Sequence, residues 1–310
     1  MMVRPLRALL VTILLLGLVI LGSSATLRLS ANGIGCDPWP SCYGLAETAN
    51  QAQGSSLAKA LRLTHRTTAS VFAILVIAAV AIGWRGWTRP VRFVGLALIA
   101  VTGLLAGVGL YTPSPLPAVT IINVLGGLGL IGLSAALLSR STGSASYQPE
   151  LPARFLRRAI WTLLALLALQ AALGAMISVR VAANTCATGC PQLTWSADAF
   201  ALLNPMHSGR WNALSSDLTA GQFLHWLHRI AGATLLLTLA SIMYVRRVAA
   251  GSPWSWLMRV TIATFGLGVA SAIWDGQLLI TITHVLFAGL GAAALGVVGI
   301  GATRPRSSPI

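Results

Sequence analysis

Long apolar stretches separated by short polar ones run through the whole chain. A run of about 20 apolar residues is long enough to cross the hydrocarbon core of a membrane as one helix. Eight such runs occur, at Leu9–Leu27, Leu61–Ile82, Phe93–Tyr111, Leu116–Leu138, Ala159–Val179, Gln222–Val245, Trp256–Trp274 and Leu278–Ile300. The pattern predicts an all-α integral membrane protein with eight transmembrane helices. Because the number is even, both termini are expected on one side of the membrane.

Composition supports this prediction. The chain of 310 residues is 56% hydrophobic and 9% charged, with a mean hydropathy of +0.79, values that exclude an ordinary soluble domain. Arg4 and Arg7 before the first apolar run, and the small residues 23–25 near its end, are also features of a signal peptide. The length of the run and the seven runs that follow favour a transmembrane helix.

The net charge of +15 would suit a nucleic-acid binder, but the arginines follow a different pattern. They fall at the termini, in alternate loops and at the span ends beside them: Arg4, Arg7, Arg85, Arg89, Arg92, Arg140, Arg154, Arg157, Arg158, Arg246, Arg247, Arg259, Arg304 and Arg306. Such loops are cytoplasmic by the positive-inside rule. We therefore expect a multi-pass protein of the cytoplasmic membrane with both termini in the cytoplasm, and no nucleic-acid partner.

The second half of the chain repeats features of the first at an offset of about 150 to 165 residues. In each half an arginine and an asparagine end the first span, a long loop with two cysteines follows, and a His-Arg pair opens the next span. In the first half these residues are Arg28, Asn32 and His65-Arg66. In the second half they are Arg180, Asn184 and His228-Arg229. Each half has four spans, so the repeat is parallel, whereas many secondary transporters have inverted repeats.

The repeat predicts two four-helix bundles. Residues 1–140 form the N-terminal half. A cytoplasmic linker rich in Ser, Gly and Pro occupies residues 141–154. Residues 155–303 form the C-terminal half.

Polar residues inside the spans are the candidate ligands. His228 and His284 each lie about six residues into their spans, roughly 9 Å below the same membrane face at 1.5 Å per residue. Ionisable groups are costly in hydrocarbon and usually mark function, and histidine is a common axial ligand of heme iron. Two imidazoles at one depth favour a heme held from both faces. The alternative for each is a structural histidine bonded to a nearby carbonyl or serine.

In the first half, His65 and Asn123 occupy the equivalent positions. Asparagine is a poor iron ligand, so this half offers one strong axial ligand. Such a site would hold a heme more loosely, as a substrate requires. His65 and Asn123 are therefore candidate catalytic residues, together with Arg66.

Further polar residues surround these positions. Arg66 and Arg229 directly follow the histidines, and an arginine within a membrane requires an anion, for which heme propionates or a cluster of backbone carbonyls are the candidates. His225 lies one turn before His228, where it would contact a propionate, line the pocket or lie at the interface. Arg62 holds the corresponding place in the first half. His207 reads as an ordinary loop residue.

All four cysteines lie in the two long loops predicted to be outside. Cys36 and Cys42 are separated by five residues that include two prolines and Trp39, and Cys186 and Cys190 are closer together. Structural disulfides, or a redox-active pair beside the mouth of the heme site, are the leading alternatives. A metal site is less well supported, since the pairs lie in separate loops without nearby histidines.

These features resemble the heme A synthase family along nearly the whole chain. The resemblance rests on the Pro-Trp-Pro core of the Cys36–Cys42 loop, the two His-Arg pairs, the Gln170-Ala-Ala-Leu-Gly174 stretch, and His284 in the last span, in this order. It implies eight helices in two homologous halves and oxidation of the methyl group of heme O to the formyl group of heme A. It also implies that His228 and His284 bind heme b, and that the N-terminal half receives heme O.

The chain departs from the family at two positions in the first half. Arg62 stands where the family usually has a glutamate, and Asn123 where it usually has a histidine. No span contains a carboxylate that would replace the glutamate. Both departures affect the expected substrate site and leave the expected cofactor site intact.

Three functions therefore stay open. The first is oxidation of heme O, with a heme O synthase and terminal oxidase assembly factors as partners. The second is heme binding or delivery without catalysis. The third is quinol-linked electron transfer through a b-type heme, which needs a quinone or another electron partner. The sequence leaves a homo-oligomer open and gives no other partner except membrane lipid.

Overall fold

The computed structural model describes residues 3–31, 54–112, 116–141, 153–180, 186, 197–207, 219–245, 247–248, 251–274 and 277–301. All regular secondary structure in these ranges is helical. In chain order the helices are α1 Val3–Ala31, α2 Ser56–Gly83, α3 Arg89–Gly109, α4 Pro117–Ser141, α5 Ala153–Val179, α6 Ala197–Ala201, α7 Thr219–Val245, α8 Pro253–Ile273 and α9 Leu278–Gly301. Eight of them, all except the short α6, are long and apolar enough to span a membrane. The prediction of an eight-span, all-α membrane protein is confirmed.

Local sequence explains several helix boundaries. The Ser55 side chain accepts a hydrogen bond from the backbone nitrogen of Ala58 at the start of α2. Ser252 does the same for Ser255 at the start of α8, where Pro253 is the first helical residue. Such caps satisfy backbone donors that have no partner within the helix, and proline suits the first turn because it lacks an N–H group.

Each half forms its own bundle. In the first half, both α1 and α3 pack on α2 and on α4. In the second half, both α5 and α8 pack on α7 and on α9. In the described residues the diagonal helices, α2 with α4 and α7 with α9, make no backbone contact. Each bundle therefore has an interior between its diagonal helices, and the candidate ligands lie on those helices.

The halves meet along α4 and α9. Two further contacts between the halves are equivalent to each other, since α1 packs on α9 and α5 packs on α4. A side chain at Gly296 would collide with the backbone oxygen of Gly132, and one at Gly132 would lie 3.1 Å from the oxygen of Ala292. Small residues allow this close approach of two transmembrane helices, where dispersion replaces the hydrophobic effect as the driving force.

The predicted boundary between halves falls in a stretch outside the described residues. The structure describes α4 up to Ser141 and α5 from Ala153, and most of the predicted linker 141–154 lies between them. The division into 1–140 and 155–303 therefore stays a prediction.

Candidate functional site

The four polar positions recur in register along their helices. Counted from the first residue of each helix, His65 is the tenth of α2 and His228 the tenth of α7, while Asn123 is the seventh of α4 and His284 the seventh of α9. Because α7 begins at Thr219, three residues before the predicted Gln222, His228 lies deeper along its helix than the sequence suggested. Each bundle thus carries its pair on diagonal helices.

His228 and His284 face each other across the C-terminal bundle. Their ring centroids are 6.4 Å apart and the ring planes are inclined at 67°. Since the backbones of α7 and α9 are not in contact, the two rings reach into the bundle interior from opposite sides. The short distance between the two rings is consistent with the expectation that they lie at one depth in the membrane.

The ring of His284 is fixed by a backbone group. Its Nδ1 lies 2.8 Å from the carbonyl oxygen of Thr264 on α8. A carbonyl only accepts, so Nδ1 carries the hydrogen and donates it. The remaining nitrogen, Nε2, then carries a lone pair, which is the state that a histidine needs to bind a metal.

His228 is held by Gln170 of α5, the first residue of the Gln170-to-Gly174 stretch. The side-chain nitrogen of Gln170 lies 3.1 Å from Nε2 of His228. In the described part of the chain, Nδ1 of His228 and Oε1 of Gln170 are buried without a hydrogen-bond partner. Buried polar atoms in this state are costly, and an ordered water or a bound group usually satisfies them.

Two glycines make room for the histidine rings. A Cβ atom at Gly174 of α5 would lie 3.1 Å from Cε1 of His228, and one at Gly268 of α8 would lie 3.0 Å from Cε1 of His284. Both distances are tighter than ordinary van der Waals contact. The absence of a side chain at each position therefore allows the ring its observed place.

These residues fit a heme, which His228 and His284 would hold. A metal–imidazole bond is about 2 Å long and the ring centre lies about 1 Å beyond the nitrogen, so two imidazoles on one iron have centroids roughly 6 Å apart. The observed 6.4 Å agrees with this separation. The anchored Nδ1 of His284, which leaves a lone pair on Nε2, also suits heme iron.

The N-terminal bundle has a different pair. Nδ1 of His65 lies 3.3 Å from the hydroxyl oxygen of Ser23 on α1, and that hydroxyl also donates to the backbone oxygen of Ile20 at 3.1 Å. Across the bundle, Nδ2 of Asn123 donates to the hydroxyl oxygen of Thr112 at 3.2 Å. Thus one half has two imidazoles and the other has one imidazole and one amide.

The neighbouring basic residues differ in exposure. Arg66 and Arg229 are exposed at the surface of the protein, whereas Arg62 and His225 are half-buried. His207 is exposed, as expected of a loop residue, and its backbone nitrogen donates to the oxygen of Asn204. The expected contacts of Arg66, Arg229 and His225 with propionates stay predictions.

Two equivalent arginines lie where α1 and α5 end. Nε of Arg28 donates to the hydroxyl oxygen of Ser178 at 3.1 Å, which links the two halves. Arg180 is fully buried, and its Nη2 donates to the backbone oxygen of Asn204 at 2.8 Å. Burial lowers the pKa of the Arg180 guanidinium below its ordinary value. Both arginines thus brace the end of the bundle where the cysteine loops begin.

Of the four cysteines, Cys36, Cys42 and Cys190 lie outside the described residues. Cys186 is buried, with 8% of its surface exposed, and is disulfide-bonded. Its partner is not among the described residues, so the pairing and the redox role of the loops stay predictions. No cluster of three or more His, Cys, Asp or Glu residues that could hold a metal ion occurs in the described ranges.

Sequence reasoning missed several residues that position the ligands. Ser23, Thr264 and Gly268 are examples, because each acts on a histidine of another helix. For Gln170 and Gly174 a signal existed: their spacing of four residues puts them on one face of α5. No local signal indicated which ring that face would meet.

Comparison with known proteins assigns the chain to a family. The model of the COX15-CtaA family, described as cytochrome oxidase assembly protein, matches residues 7–295. The chain is also similar to a protein of Shewanella oneidensis described as heme A synthase, with 28% identity over 301 residues that cover 88% of this chain and 89% of the relative. The family match reaches into all eight spans and includes both histidine positions of the C-terminal bundle. The chain therefore belongs to the COX15-CtaA family of cytochrome oxidase assembly proteins, the heme A synthase family.

Proposed function

We propose that this chain oxidises the methyl group of heme O to the formyl group of heme A, for the assembly of terminal oxidases. The family supports a role in heme A biosynthesis. The observation that carries the proposal is the asymmetry of the two bundles. One presents a matched pair of histidines, suited to a permanent cofactor, and the other presents one anchored histidine, suited to a substrate that must enter and leave.

In the C-terminal bundle, His228 and His284 would hold heme b. When bound, heme supplies redox-active iron, which protein side chains lack. Thr264 fixes the His284 ring, Gln170 lies against the His228 ring, and the two glycines leave space for both rings. The protein's contribution at this site is therefore orientation and exclusion of water by the apolar helices around it.

In the N-terminal bundle, His65 would bind the iron of heme O and so fix the porphyrin relative to the protein. Ser23 fixes the orientation of the His65 ring. Arg66, together with Arg62, would bind propionates, and Arg229 and His225 would do the same in the other bundle. The six carboxylates of the chain all lie outside the spans, so a proton released by the methyl group has to leave through other groups.

The charge distribution supports an orientation with both termini in the cytoplasm and the cysteine loops outside. In this orientation the candidate sites lie toward the outer half of the membrane. The cysteine pairs, as structural or redox-active disulfides, would lie beside them. A heme O synthase would supply the substrate, and a quinone or another electron partner would exchange electrons with the C-terminal heme.

A second candidate is heme binding or delivery without catalysis. It is favoured by Asn123, whose amide is hydrogen-bonded to Thr112 where the family usually has a histidine ligand, and by Arg62 in place of the glutamate. A third candidate, a quinol-linked electron carrier, differs from both in the kinetics of heme reduction. It predicts a heme that quinol reduces rapidly and that does not depend on His65.

The test is the heme content of membranes from cells that make this chain together with a heme O synthase, resolved by chromatography with mass detection. Heme A or a hydroxylated intermediate is expected. Cells with the synthase alone, and cells with the His65→Ala variant, provide the controls. Heme B and heme O as the only products would overturn catalysis and support the heme carrier.

A further inference from the structure

His284 and Asn123 occupy equivalent positions in the two bundles. Asn123 therefore stands where the second ligand of an iron in the N-terminal bundle is expected. Both are the seventh residue of the last helix of their half, opposite a histidine that is the tenth residue of its helix. In the C-terminal bundle this arrangement brings two rings to 6.4 Å. In the N-terminal bundle the same place is held by an amide.

His65 is prepared to act as a strong ligand. The Ser23 hydroxyl has one hydrogen, and it donates this hydrogen to the oxygen of Ile20. Nδ1 of His65, at 3.3 Å from the Ser23 oxygen, then acts as the donor. Nε2 keeps its lone pair for iron, as in His284. The Ser23 side chain is 7% exposed, so water competes little for this bond.

Asn123 is held in a different way. Its Nδ2 donates to the hydroxyl oxygen of Thr112, which donates in turn to the backbone oxygen of Val108 at 3.3 Å. An amide oxygen is a hard, weak donor for heme iron compared with imidazole. A side-chain amide has two N–H groups, and the Thr112 bond uses one of them. Asn123 therefore offers a hydrogen-bond donor where the other bundle offers a ligand.

We propose that His65 alone ligates the porphyrin iron of the N-terminal bundle, and that the coordination position toward Asn123 accepts a small diatomic ligand. The inference rests on the proposed function, since it requires a porphyrin in this bundle. A vacant coordination position with a nearby N–H donor favours binding of a diatomic molecule, whereas two axial histidines favour electron transfer. The two bundles thus divide these roles.

The test uses the full-length protein, purified in detergent from cells that also make a heme O synthase, reduced and exposed to carbon monoxide. Heme per chain is measured in the same samples. We expect about two hemes per chain, and a difference spectrum that corresponds to about one bound carbon monoxide per chain. Electron paramagnetic resonance of the oxidised protein is expected to give one high-spin and one low-spin signal.

Reciprocal substitutions provide matched variants. Asn123→His is expected to abolish the carbon monoxide complex and convert the high-spin signal to low-spin. His284→Asn is expected to lower the heme content of the C-terminal bundle and to let the heme that remains there bind carbon monoxide. Asn123→Leu removes the N–H donor without adding a ligand, so the complex should persist with a shifted carbon–oxygen stretching frequency.

The outcomes separate this inference from the proposed function. Two hemes per chain without a carbon monoxide complex, or a complex that Asn123→His leaves unchanged, would overturn the inference alone. A single heme per chain that is lost on substitution of His228, together with membranes that contain no heme A, would overturn the proposed function as well. Heme A formation by a protein with no high-spin iron would retain the function and reject the inference.

Discussion

The His284 ring donates its Nδ1 hydrogen to the carbonyl oxygen of Thr264, 2.8 Å away on the neighbouring helix. The acceptor is a backbone atom, so almost any residue at position 264 preserves it. The bond fixes both the tautomer and the direction of the ring before any heme is bound. His228, in contrast, is held by the side chain of Gln170, and this bond depends on residue identity.

We predict that His228→Ala and His284→Ala each lose the b-type heme spectrum. One axial ligand is removed in each case, and a single histidine binds heme iron more weakly than a pair. Heme per protein, determined from the pyridine complex, provides the measurement. His207→Ala, an exposed loop position, is the control and should keep its heme. Full heme content in both variants would contradict the assignment of these ligands.

We predict that Gly268→Ala lowers heme retention in the C-terminal bundle. Its Cβ would lie 3.0 Å from Cε1 of His284, so the ring has to move away from its place beside Thr264. Gly266→Ala is a matched control on the same helix, because a Cβ there meets nothing within 4 Å. The measurement is heme content after detergent extraction. Equal retention in the two variants would argue against a ring position limited by Gly268.

We predict that Ser23→Ala weakens retention of the substrate heme. The change leaves Nδ1 of His65 without its partner, and loss of a hydrogen bond costs about 0.5–1.5 kcal/mol, or about 2- to 10-fold in affinity. The neighbouring Ser24→Ala serves as the control, and heme O bound per chain is measured by chromatography. If both variants bind heme O equally, Ser23 has no role in positioning His65.

We predict that Gly296→Ala destabilises the contact between the two halves. A methyl group there would overlap the backbone oxygen of Gly132 on α4, and overpacking typically costs about 1–3 kcal/mol. The free energy of unfolding in detergent micelles, measured by denaturant titration, tests this value. Gly291→Ala on the same helix meets only Val260 at 3.9 Å and should be close to neutral. The reverse order of stability would refute the packing argument.

Hydropathy alone determined the eight spans, because each is a local property of about 20 consecutive residues. The predicted first residues of the helices were less accurate. The structure begins α7 at Thr219, where a polar first turn precedes the apolar run, and a hydropathy window does not detect such a turn. Internal comparison also gave the parallel repeat and its four candidate positions, since equivalent residues keep their place in each helix.

The partners of those positions were decided by tertiary structure. Ser23 lies 42 residues from His65, and Gln170 lies 58 residues from His228. Periodicity indicates which residues share a helix face, but it does not say which neighbouring helix that face meets. That choice depends on the packing of small residues such as Gly132 and Gly296, which brings α4 against α9 and sets the two bundles side by side.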